Sequence, residues 1–126
     1  LVIVTYSRQV HNAMAAAEAM ANNGIEATVI DLRSLNPLDF DTVRAHVERV
    51  GRAMVVSEGV MTAGVGAELS ARIHEECFDF LAEPVIRVCG EDIPISVSVE
   101  LEKNSVPTAR FIQDVAQRLF ADRRAA

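Results

Sequence analysis

The sequence predicts an α/β fold, a three-layer α/β/α Rossmann-like domain with a mostly parallel sheet. Two observations predict it. Four short runs of β-branched and aliphatic residues lie between turn signals, and each is followed by a segment whose apolar residues recur at spacings of three and four. Strands and helices alternating in this way form parallel sheets covered on both faces. Length agrees, because 126 residues of which 50% are hydrophobic can fill one core.

The elements follow in order. Leu1 to Tyr6 is a buried-strand pattern. Ser7 is the expected cap of a helix whose apolar face is Val10, Ala13, Met14, Ala17 and Ala21. Asn22-Asn23-Gly24 ends it, with Gly24 suited to a left-handed position. Glu26 to Leu32 is the second strand. Asn36-Pro37 is a turn, and Asp39 is the expected N-cap of a helix with Phe40, Val43, Val47 and Val50 on one face. Gly51 stops that helix, and Ala53 to Val56 is the third strand. Glu58 to Gly66 is a loop leading into a third helix, striped by Leu69, Ile73 and Cys77. Val85 to Val88 is the fourth strand, and Cys89 to Ser105 is irregular. Pro107 opens a last helix faced by Phe111, Ile112, Val115, Ala116, Leu119 and Phe120, and Asp122-Arg123-Arg124 is an expected frayed tail.

Composition excludes several functions. The net charge of −6 argues against nucleic-acid binding, which needs clustered cations, and is compatible with a basic protein partner. No apolar run approaches the ~18 residues of a membrane span. Cys77 and Cys89 lack metal-ligand spacing and sit in apolar stretches, so buried reduced thiols in a cytoplasmic protein are expected. The chain opens inside a strand without a start methionine, and it is expected to be part of something longer.

Ligands of such sheets gather at the carboxyl ends of the strands. That edge holds Ser7-Arg8, Leu35-Asn36, Glu58 to Gly64, and Gly90-Glu91-Asp92. Gly64-Val65-Gly66 fails as a dinucleotide fingerprint because Leu69 occupies the third small position, and close helix–strand packing is the expected use of these glycines. Gly90-Glu91-Asp92 reads as a solvated turn. His11, His46 and His74 fall on helices without i, i+4 pairing. No catalytic, cofactor-binding or metal-ligating residue is assigned. The candidates for an interface or an anion site are Arg8, Glu58, Gly59, Val60, Met61, Gly64, Asp92 and Ile93. Arg8, at a helix start, is a candidate anion ligand, though a surface pair with a neighbouring carboxylate is the favoured reading. Glu58 has no second acid or base beside it. Val60-Met61 and the apolar run Ile93 to Val99 suit a subunit contact.

Several stretches together carry a resemblance. Val4 to Ala13, Gly24 to Asp39, Val56-Ser57-Glu58-Gly59, Gly64 to Leu69, Ile73 to Leu81, Pro84 to Gly90, Leu101-Glu102-Lys103 and Val106-Pro107 resemble the transketolase C-terminal domain. The nearest branch is the beta subunit of thiamine-diphosphate-dependent 2-oxo acid dehydrogenases. The resemblance implies a fold like that domain's, within a full enzyme that decarboxylates pyruvate or a related 2-oxo acid. It implies thiamine diphosphate and Mg in that enzyme but none bound by this domain. It implies a second beta subunit, an alpha subunit and a lipoyl-bearing acyltransferase core as partners. Two segments depart from the family. Val60-Met61 stands where Trp-Pro is common, and Ile93-Pro94-Ile95-Ser96-Val97 stands where Pro-Met-Pro-Tyr is common. A transketolase-like subunit-interaction or anion-binding module is the alternative reading.

Overall fold

A computed structural model describes residues 1–94, 98 and 105–121. Four strands form one sheet in the order β2-β1-β3-β4, all parallel: β1 (Val2–Thr5), β2 (Thr28–Asp31), β3 (Ala53–Val60) and β4 (Ile86–Gly90). Among the described residues the helices include α1 (Gln9–Ala21), α2 (Phe40–Val50), α3 (Val65–Cys77) and α4 (Ala109–Ala121), with a 3₁₀ turn at Phe78–Phe80.

Side chains alternate across a strand, so each apolar strand feeds two cores. Val2 and Val4 point to one face with Val55, meeting Phe40, Val43 and Val47 of α2 and Leu69 and Ile73 of α3. Leu1 and Ile3 point to the other with Met54, Val56 and Val88, meeting Ala13, Ala16 and Met20 of α1 and Ile112 and Ala116 of α4. Two layers of helices on one sheet give the three-layer architecture expected from the sequence.

The helix ends show the local chemistry. Asp39 caps α2: its carboxylate accepts from the Thr42 N–H at 3.2 Å and from the Thr42 hydroxyl at 2.6 Å. Those bonds hold the exposed carboxyl below its ordinary pKa. Gly51 ends α2 with φ 72°, and a Cβ there would meet the Phe80 carbonyl oxygen at 3.0 Å. Between α2 and α3, Glu76 pairs with both Arg44 and Arg72, and the Arg72 guanidinium lies 4.2 Å from the Phe40 ring centre. His74 joins α3 to the start of β4. Its Nδ1–H donates to the Ser70 carbonyl at 2.8 Å, and its Nε2 accepts from the Val85 N–H at 3.3 Å. The second bond fixes this tautomer, because a backbone N–H can only donate.

The structure corrects several boundaries. Ser7 does not cap α1 with its side chain; it adopts φ 56°, and its carbonyl accepts from Val10 N at 3.2 Å. The buried face of α1 is Gln9, Ala13, Ala16 and Met20, while Met14 and Ala21 are exposed. An alanine-rich helix offers little contrast between faces, and contact with α4 decides. Asn12 Nδ2 donates to the Pro107 carbonyl at 3.0 Å and to Gln9 Oε1 at 3.2 Å, which draws the polar Gln9 inward. Strand β2 is shorter than Glu26 to Leu32. Strand β3 runs on to Val60, so Glu58, Gly59 and Val60 are strand rather than loop. Cys89 and Gly90 likewise belong to β4. Pro107 precedes the last helix instead of sitting in its first turn, since Thr108 Oγ1 accepts from Phe111 N at 3.2 Å as the cap. The tail 122–124 and the segments 95–97 and 99–104 lie outside the described residues.

Two outcomes follow for stability. Replacing Ile3, fully buried at the sheet centre, by Ala should cost about 2–5 kcal/mol, read as a lowered urea midpoint at unchanged slope. Asp39→Ala should cost about 0.5–2 kcal/mol, and Asp39→Asn should recover most of it in the same titration.

Candidate functional site

The order β2-β1-β3-β4 puts the reversal of winding between β1 and β3. Open parallel sheets bind ligands in the crevice outside the carboxyl ends at that point. Arg8 follows β1 there, and Glu58 sits on β3 there. The two meet as an ion pair, Arg8 Nε to Glu58 Oε at 3.5 Å, with side chains 58% and 37% exposed. Such a pair contributes about 0–1 kcal/mol. Its value lies in bridging the crevice. Below it, the Thr5 hydroxyl donates to the Val56 carbonyl at 2.9 Å, tying β1 to β3. Tyr6 points to the same place, and burial pushes its phenol up, against the opposing effect of a Ser57 hydrogen bond.

A bulge positions Glu58. Between the pairs Val56↔Val88 and Val60↔Gly90, β3 advances four residues while β4 advances two. Two extra residues on one strand kink it and redirect its side chains. The bulge then presses on β4: a Cβ at Gly90 would lie 2.6 Å from the Glu58 carbonyl oxygen and 3.1 Å from that of Ser105. Glycine at 90 is a consequence of that approach. Gly66 does what the sequence suggests, since a Cβ there would meet Cys89 Sγ at 3.1 Å and Ser57 Oγ at 3.5 Å. It lets α3 lie close on β3 and β4. Gly64, the N-cap of α3, has no room for a Cβ because the Val60 carbonyl fills the space.

The next loops are tied to each other. Asp92 accepts from the Thr62 N–H at 3.0 Å with one carboxylate oxygen and from the Thr62 hydroxyl with the other. Those bonds, with a smaller effect of Arg87, hold the exposed Asp92 carboxyl below its ordinary pKa. Arg87 Nη1 donates to the Met61 carbonyl at 2.9 Å. The 91–92 segment is exposed, as the solvated-turn reading expected, and it also cross-links the end of β4 to the loop after β3. Sequence reasoning missed this because Thr62 and Asp92 are 30 residues apart.

Of the eight candidates, the structure joins Arg8 to Glu58, and it places Gly59, Val60, Met61 and Gly64 beside the Asp92 cross-link. Val60 and Ile93 expose 37% and 46% of their surfaces at this edge. Beside them, between β4 and α4, is a groove of about 440 Å³ whose walls include Met61, Arg87 and Phe111. Cys77 and Cys89 are free and buried, as expected, and burial pushes the Cys77 thiol up.

The residues around Gly90 do not fit a diphosphate group. Both oxygens of Asp92 are engaged by Thr62, and the space a Cβ of Gly90 would take is bounded by carbonyl oxygens, which repel an anion. Among the described residues, no three His, Cys, Asp or Glu are grouped to hold a metal ion, and no helix is long and apolar enough to cross a membrane. Chemically, the arrangement can neutralise, cap and cross-link. No pairing of a nucleophile with a base is formed by the candidate residues.

A pyruvate dehydrogenase E1 component subunit beta from Rickettsia bellii is 43% identical over 106 residues, covering 84% of this chain and 33% of that protein. The mitochondrial subunit of the same name from Dictyostelium discoideum is 38% identical, covering 93% and 33%. A mitochondrial beta-1 subunit from Arabidopsis thaliana is 41% identical, covering 92% and 32%. The chain thus spans about one third of the length of the curated relatives it matches. A solved structure described as a split gene transketolase, inactive beta4 tetramer, superposes with a TM-score of 0.76 at 25% identity, covering 93% of this chain and 37% of that one. Residues 1–112 match the family described as transketolase, C-terminal domain, and the chain belongs to that family.

Proposed function

We propose that this chain is the C-terminal, assembly-supporting domain of a longer beta subunit in a thiamine-diphosphate-dependent 2-oxo acid dehydrogenase. That enzyme would oxidatively decarboxylate pyruvate or a related 2-oxo acid and pass the acyl group to a lipoyl domain. Its partners would be a second beta subunit, an alpha subunit and the acyltransferase core. The names of the curated relatives support the enzyme class, and the share of their length that is matched supports a longer subunit. Thiamine diphosphate and magnesium would be bound by other parts of the assembly. A cytoplasmic setting is the reading of two free, unbridged cysteines; mitochondrial relatives share the same pattern of names.

One observation carries the assembly role. At the carboxyl edge Arg8 pairs with Glu58, Thr62 with Asp92 and Arg87 with the Met61 carbonyl, while Val60 and Ile93 stay exposed beside them. An edge with exposed aliphatic groups gains from covering, because burying the exposed remainder of each such side chain is worth about 1 kcal/mol, a fraction of the full-burial value. At the opposite end of the sheet, Phe78 and Phe80 are 71% and 51% exposed beside the acidic Asp79. Aromatic groups beside a carboxylate suit a basic partner segment.

The test uses the full-length subunit with its partners. Val60→Asp together with Ile93→Asp should abolish or weaken assembly in sedimentation velocity by at least tenfold in affinity, with the urea midpoint of the domain little changed. Native assembly by the double variant would overturn the proposal for this edge. Phe78→Ser with Phe80→Ser should leave subunit assembly intact and weaken capture of the acyltransferase core.

The second reading, an anion site, is favoured by Arg8, whose side chain is 58% exposed at the start of α1. Calorimetric titration with inorganic phosphate and thiamine diphosphate separates the two. We expect no saturable heat from either, and a one-to-one phosphate isotherm lost in Arg8→Gln would favour the anion site.

The Asp92 cross-link gives a pH outcome. Its carboxyl is depressed when folded, so its stabilisation is complete above the unfolded carboxylate pKa of about 3.9. It is lost as pH falls through the lower, folded value. Acid unfolding of Asp92→Asn should therefore show a shallower loss of stability below about pH 4 than the parent chain.

A further inference from the structure

We draw no further inference here: the strongest candidate, the apolar-walled groove of about 440 Å³ between β4 and α4 at Met61, Arg87, Pro107 and Phe111, carries nothing because nothing in the structure shows what covers it.

Discussion

The rest of the structure depends on the burial of β1 on every side. Its hydrogen bonds go to β2 on one side and β3 on the other, and its side chains go to two different helix layers. Val2, Ile3, Val4 and Thr5 are each 0% exposed. A strand in that position cannot carry an unpaired polar group, because burying one without a partner costs several kcal/mol. Thr5 meets the condition by donating to Val56. The winding order then follows from this centre, since β2 and β3 must take opposite flanks, and the crevice between β1 and β3 follows from the winding.

That crevice is where a fold of this kind would place a ligand, and here an exposed ion pair of the protein's own groups spans its mouth while the neighbouring loops are tied to each other. Arg8 and Glu58 bridge its mouth, Thr62 and Asp92 join the next loops, and Arg87 holds the Met61 carbonyl. Each bond is modest, and the exposed ion pair least of all. Their combined effect is geometric. They tie the loop after Val60 to the residues that follow β4, next to the exposed Val60 and Ile93. Fold alone does not assign function, and the case for assembly rests on these residues rather than on the Rossmann-like frame.

Much of the fold was legible in residue order. Asp39 and Gly51 mark the ends of α2 by local chemistry, and the structure uses them as such. The apolar faces of α2 and α3 were readable because Val and Leu alternate with charged residues there. The face of α1 was not, because alanines surround it and Gln9 is drawn in by Asn12. The ends of β3 and β4 were also misread. Glycines at 59 and 90 look like loop signals, but one lies in a bulge and the other beneath it. The candidate site was legible as a set of positions along one edge. Its internal pairing was not, because each partner lies on a different element.

By itself the sequence determined the alternation of strand and helix, the parallel sheet with two apolar faces, and the burial of both cysteines, since these depend on local period and composition. Tertiary structure alone decided which face of α1 turns inward, where β3 bulges, and which side chains meet at the carboxyl edge. The reason is distance along the chain: Arg8 reaches Glu58 and Thr62 reaches Asp92 only after four strands are in register, and no local pattern records such a meeting.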